Sequence, residues 1–321
     1  MMCKMVCVVS VMISLLTSVA VVGQQRNAVP QSGTLLSLDQ LRKEMFHVSV
    51  GRRLIPASWP NGAKVAVALS FDVDNATTSL AIGEVDSLSI TLGEYGAVSG
   101  LPRVLRILAA QNVPASFYIP AVSALLHPQM IKEIQASGKH EIGVHGWVHE
   151  NLAILNNEFE EHRLLTQAID ALTQLTGQRP IGYRAPSWIF SQFTMKQIKE
   201  AGFLYDSSLF ASDDAYEILL DGQPTGVIEL PISGIRDDVP YLGQKTSAGS
   251  LPDPDRLEKI FESEFDIAYT EGGLFTLTMH PHVTGHRAAA SYLEKLFIHM
   301  KSKPNVWFAT GADIARYLKN Q

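Results

Sequence analysis

Cysteine is nearly absent from this chain: only Cys3 and Cys7 occur among 321 residues, and both sit close to the N-terminus. The remainder therefore offers no thiol as a nucleophile, disulfide half or metal ligand, which confines any metal site to His, Asp and Glu. Basic charge is not in excess either. Against 32 Asp and Glu there are 26 Lys and Arg, a formal net charge of -6 with a pI near 5.9, and this argues against a nucleic-acid partner. No internal repeat or low-complexity tract stands out. Hydrophobic residues make up 46% of the chain, enough for a sizeable core.

The first segment has a composition of its own. Lys4 is followed by an apolar run over 6–22, with a short polar break at Thr17-Ser18 and small residues near Gly23. A weakly basic start, an apolar stretch and a small-residue end form a secretory signal pattern over 1–23. The run is almost long enough to span a bilayer, but Ser, Thr and Gly dilute it. Export with cleavage, to a secreted or periplasmic location, is favoured over a retained anchor. Both cysteines would leave with the leader.

Residues 24–60 are polar and mixed, with a helical pattern over 38–46, and read as an N-terminal arm or linker. From 61 to 321 short apolar runs alternate with amphipathic stretches. Strands are expected over 64–71, 115–119, 141–144, 227–230 and 274–279, with another leading into Tyr183-Arg184. Helices are expected over 101–111, 128–137, 158–175, 194–201, 254–269 and 288–301, several ended by glycine. Strand followed by helix, repeated, predicts an α/β fold with a mainly parallel sheet, better satisfied by one barrel-like domain than by two.

Polar clusters fall at the ends of these strands, where the loops of an α/β barrel converge. Asp72 and Asp74 follow the first strand and, two residues apart, can face one side; adjacent carboxylates are usually reconciled by a cation or by different tasks, although a turn or helix cap accounts for them too. His145-Gly146-Trp147-Val148-His149 spaces two imidazoles so that a helical turn would place their Cβ atoms about 5–6 Å apart. Such a pair can grip a divalent ion, with a carboxylate supplying the missing donor, while surface or core histidines are the plainer alternative. Arg184 ends a strand with a charge that needs a partner, structural or functional. His280, in His280-Pro281-His282, is suited to proton transfer, though a strand-end histidine is often structural. Trp147, Trp188, Phe190 and Tyr241 can stack on sugar rings, but packing is the commoner role of such aromatics.

Taken in order, these segments resemble the motifs of the NodB-homology polysaccharide deacetylases, the carbohydrate esterase 4 type. Ser70-Phe71-Asp72-Val73-Asp74 resembles the first motif and His145 to His149 the HxxxH motif. Arg184-Ala185-Pro186-Ser187-Trp188, Asp206-Ser207-Ser208 and Leu277-Thr278-Met279-His280 resemble the other three. The likeness covers about 64–317. It implies a distorted (β/α)7-type barrel, a single catalytic domain, and hydrolysis of non-peptide carbon–nitrogen bonds. It further implies Asp72 as general base, Arg184 as the residue orienting it, His280 as general acid, and Asp74, His145 and His149 as ligands of a divalent metal, zinc by ligand type or cobalt or similar. The favoured substrate is an N-acetylated glycan of the peptidoglycan or chitin type.

The spacing Asp72-Val73-Asp74, the ending His280-Pro281-His282 and Gly285-His286-Arg287 look closer to the subgroup that holds peptidoglycan-deacetylase-like and allantoinase-like proteins. A small cyclic amide or imide is thus the alternative substrate, and a homo-oligomer is implied by the subgroup alone. An inactive glycan-binding protein comes last, because none of Asp72, Asp74, His145, His149 or His280 is missing.

Overall fold

The first core strand of the domain is apolar on both faces, and this sets the architecture around it. In the computed structural model, which describes residues 33–243 and 253–321, all ten strands join one sheet. They are β1 (Val48–Arg53), β2 (Val65–Asp72), β3 (Ser116–Ile119), β4 (Glu141–Val144), β5 (Gly182–Tyr183), β6 (Tyr205–Asp206), β7 (Tyr216–Leu220), β8 (Gln223–Glu229), β9 (Leu274–Met279) and β10 (Val306–Ala309). Every residue of β2 is buried, as expected of a parallel strand covered on both faces. The leader expected over 1–23 lies outside the described residues.

The sheet order is β1-β7-β8-β6-β5-β4-β3-β2-β10, with β9 also paired to β2. Seven strands, β9, β2, β3, β4, β5, β6 and β8, run parallel. After β8 an isolated parallel bridge between Asp237 and Thr278 brings the chain back to β9. The sheet is thus curled on itself as a distorted (β/α)7-type barrel within one compact unit, Ser37–Gln321. Helices pack their apolar stripes on its outside. Leu101–Gln111 buries Leu101, Val104 and Leu108, and Arg287–Ser302 buries Tyr292, Leu293, Leu296 and Phe297. Rings pack within each layer: Phe71 stacks on Phe117 of the neighbouring strand at 5.3 Å, and Phe261 of the helix Pro254–Glu271 meets Tyr292 edge-on at 6.0 Å.

The stretch 24–60, expected as an arm, contains β1. This strand pairs antiparallel with β7, and β7 with β8, as a margin beside the parallel barrel. β1 lacks an apolar run because it is only partly buried, with Arg52 and Arg53 exposed. β10 and the helix Gly311–Lys319 were also not expected; three of the four residues of β10 are half-buried, and a short, partly covered strand leaves little periodicity.

Candidate active site

All six residues singled out in the sequence stand at the C-terminal ends of the parallel strands, and their side chains meet in one place. β2 ends at Asp72 and leads to Asp74, β4 leads into His145, β5 into Arg184 and β9 into His280. His145 Nε2 lies 3.7 Å from Asp72 Oδ2 and 3.5 Å from Asp74 Oδ1. His149 Nε2 lies 3.8 Å from Asp74 Oδ2. His280 Nε2 is 3.9 Å from Oδ2 of both aspartates. The two imidazoles of the HxxxH segment are not on a helical turn. Residues 145–150 form an irregular loop in which Gly146 and His149 both have positive φ, and the rings meet at 5.1 Å.

Arg184 is almost wholly buried, and each arm of its guanidinium has a partner. Nη1 donates to Asp72 Oδ1 at 2.6 Å and to Ser70 Oγ at 3.0 Å; Nε donates to the Ser207 carbonyl and Nη2 to Ser207 Oγ, both at 2.8 Å. Its face lies 4.0 Å over the Tyr118 ring. Burial works against the charge, but Asp72 more than offsets it and the pKa is raised. With Oδ1 of Asp72 fixed in this way, Oδ2 is turned toward the histidines. Behind Ser207, Asp206 and Glu229 are both buried and raised in pKa by that burial, Glu229 further by Asp206. Both accept from Ser208 N, and Asp206 also accepts from Ser208 Oγ, which in turn accepts from Ala185 N.

Asp74, His145 and His149 offer ligand atoms within 4.8 Å of one another. His145 Nδ1 sits 2.9 Å from the Arg184 carbonyl, so Nδ1 carries the proton and Nε2 presents a lone pair. Burial lowers the His145 pKa and keeps the ring neutral. Asp74 is anionic: burial opposes its charge, but His149, His145, His280 and His282 together hold it at about 2. Its buried Oδ1 has no hydrogen-bond partner. An unsatisfied anionic oxygen beside two imidazole nitrogens is a donor set that fits a divalent cation.

His280 differs from the other histidines. Burial alone would lower its pKa, yet Asp238 Oδ1, 2.7 Å from Nδ1, brings it up to about 10. The ring is an imidazolium with Nε2–H directed toward the aspartates. Asp238 is held in turn by the amides of His280 and Thr284 and by the Thr284 hydroxyl. A second group of ligand-type atoms among the described residues, Asp237, Asp238 and His280, is this ion pair with its acidic neighbour. Asp238 was not singled out from the sequence. It lies 42 residues from its partner, and the adjacent acids Asp237-Asp238 were its only local signal.

Of the aromatics, Trp147, Phe190 and Tyr241 pack against the core. Trp188 instead stands with Phe210 at 5.1 Å, edge-on, on the rim. It is carried by consecutive left-handed residues, Ser187 at φ 53° and Trp188 at φ 61°, a backbone that costs on the order of 1–3 kcal/mol per residue.

Fold and site together define a hydrolase of carbon–nitrogen bonds. The polysaccharide deacetylase family model matches residues 63–205. A Helicobacter pylori peptidoglycan deacetylase is 27% identical over 281 residues, 78% of this chain and 95% of that protein. Among solved structures, a Mycobacterium smegmatis protein assigned to the polysaccharide deacetylases is 33% identical, with TM-score 0.76 over 85% of this chain and 96% of that one. The PuuE allantoinase shares the fold at TM-score 0.74 and 24% identity, over 85% of this chain and 98% of its own. The chain belongs to the polysaccharide deacetylase family, as an amidohydrolase acting on carbon–nitrogen bonds other than peptide bonds.

Proposed function

We propose that this protein removes N-acetyl groups from a polysaccharide of the peptidoglycan or chitin-like class, with a divalent ion held by Asp74, His145 and His149. The observation that carries this reading is the orphaned, buried Asp74 Oδ1 near His145, on a carboxylate whose Oδ2 faces His149. Zinc matches the two nitrogens and one carboxylate best, and cobalt is the nearest substitute. Such an ion supplies Lewis acidity toward the amide carbonyl when bound.

The protein's own groups move the protons. Asp72, oriented by Arg184 through Oδ1, accepts the proton of the attacking water at Oδ2. His280 gives a proton from Nε2 to the departing amine, and Asp238 at Nδ1 keeps that ring charged beforehand. Trp188 and Phe210, meeting edge-on, offer an aromatic corner on which a sugar ring can stack. The apolar leader supports a secreted or periplasmic location, where such glycans are found, with cleavage near Gly23.

Acetate release tests the reading. Purified protein, chelated and then resupplied with zinc, is given N-acetylglucosamine oligomers, peptidoglycan and, in parallel, cyclic ureides and imides. Zinc-dependent acetate from a glycan is the expected result. Ring opening without acetate would transfer the site to small cyclic amides. Asp74→Ala and His145→Ala are expected to lose metal, and Asp72→Asn to keep metal while losing turnover; full activity in any of the three overturns the assignment of roles.

A further inference from the structure

The loop 145–150 carries two of the three proposed ligands outside any helix or strand, and after His145 N, which donates to the Ile119 carbonyl at 3.2 Å, it leaves the sheet. Its backbone is held from two sides instead. On one side, Ala121 N and Val122 N, at the start of the helix Ala121–Leu126, donate to the carbonyls of Gly146 at 3.1 Å and Trp147 at 2.8 Å. On the other side the amides turn toward a single side chain. The carboxylate of Glu150 folds back so that Oε1 and Oε2 accept from Trp147 N at 3.1 and 3.0 Å, and Oε2 accepts from Val148 N at 2.8 Å.

Glycine at position 146 leaves room for that carboxylate. A Cβ there would stand 3.1 Å from both carboxylate oxygens and 2.7 Å from Pro186 Cγ, and its φ of +75° is unsuited to other residues. The Glu150 carboxylate and Pro186, in the turn that follows Arg184, thus both stand against Gly146. The loop has reason to need such a brace. His149 sits at φ 66°, a conformation that persists only where its surroundings impose it.

We infer that Glu150 is a positioning residue: its carboxylate ties down the Trp147 and Val148 amides and so fixes the directions in which His145 and His149 present their rings. This inference rests on the metal-site reading above for its consequence, but not for its geometry. Glu150 itself touches neither ion nor substrate in this account. Charge-assisted hydrogen bonds to two neighbouring amides are stronger than neutral ones, and outer contacts that orient metal ligands commonly change metal affinity by about 10–100-fold when removed.

The test uses the full chain as wild type, Glu150→Ala, Glu150→Gln and Asp74→Ala. Amide hydrogen exchange at Trp147 and Val148 is measured without metal, and zinc affinity by chelator competition. Glu150→Ala is expected to expose both amides to fast exchange and to weaken zinc binding by about 10–100-fold. Glu150→Gln, which keeps one neutral acceptor, should fall between it and wild type. If Glu150→Ala does not fold, Glu150→Gln decides. A folded variant at position 150 with wild-type exchange and wild-type zinc affinity overturns the inference. Wild-type protein that binds zinc no better than Asp74→Ala defeats the metal reading instead, and the exchange rates then decide the role of Glu150 by themselves.

Discussion

At Arg184 the demands of stability and of the proposed chemistry fall on one side chain. A guanidinium this deeply buried is tolerable only because Asp72, Ser70 and Ser207 satisfy it. Arg184→Met would leave the buried Asp72 without the donor at its Oδ1. We expect a loss of about 3–5 kcal/mol in denaturant unfolding and at least a ~100-fold fall in turnover as the base loses its orientation. Arg184→Lys should fare little better, because a point charge cannot reach a serine carbonyl, two hydroxyls and a carboxylate together; near-wild-type turnover in the lysine variant would remove the orienting role. Asp238→Asn should keep the fold but lower turnover by about 10²–10⁴-fold, since the charge that holds His280 protonated is gone; wild-type acetate release would show that His280 does not depend on it. Asp72, His145, Arg184 and His280 could be singled out in the sequence because each stands at the end of a strand-like run, and Asp74 and His149 because of their spacing from Asp72 and His145. Asp238 and Glu150 were not, because their roles depend on folding back across a loop, which spacing along the chain does not encode.

Elements with clean periodicity were legible almost to the residue, as with the helices 101–111 and 128–135 and the strands β4 and β9. Glycine-rich and partly buried segments were not. The helix Ser87–Tyr95 runs into Leu101–Gln111 through a wide π-type turn, Gly96–Gly100. Glycines usually end helices, so the pattern reads as a break. Here they mark close backbone approaches: a Cβ on Gly100 would overlap the Pro281 carbonyl, and one on Gly93 would overlap the Asn75–Ala76 backbone. The turn therefore lies directly against the strand-end loops that carry Asp74 and His280, a placement common for π-turns near functional sites. Gly100→Ala must displace the loop after His280, at a cost of roughly 1–3 kcal/mol and with a marked loss of turnover. Gly234→Ala, where a Cβ meets nothing within 4 Å, is the matched control and should change neither urea midpoint nor rate. Equal behaviour of the two variants would mean that the turn does not position the site.

At the scale of the whole molecule, the antiparallel margin is joined to the barrel by contacts that depend on pH. His47, just before β1, places Nδ1 2.9 Å from Asp221 Oδ1 in the β7–β8 turn and Nε2 3.0 Å from the Gln192 carbonyl. Both ring nitrogens face acceptors, so only the doubly protonated ring satisfies both. The hydrogen bond to Asp221 is the largest cause of a raised His47 pKa, followed by that to Gln192. A folded-state value above the ordinary 6.5 means that the clamp contributes fully below 6.5 and fades as pH rises through the folded value. Asp221 is 61% exposed, so solvent screening limits the contribution to about 1 kcal/mol or less, and added salt should reduce it further. The melting temperature of His47→Gln should therefore fall furthest below wild type near about pH 5.5 and converge with it by about pH 8.5. The site residues are unchanged in this comparison, and any loss should be one of stability rather than of turnover. A gap that stays constant across that range would show that His47 holds the margin by shape alone, leaving Asp221 a solvated turn residue.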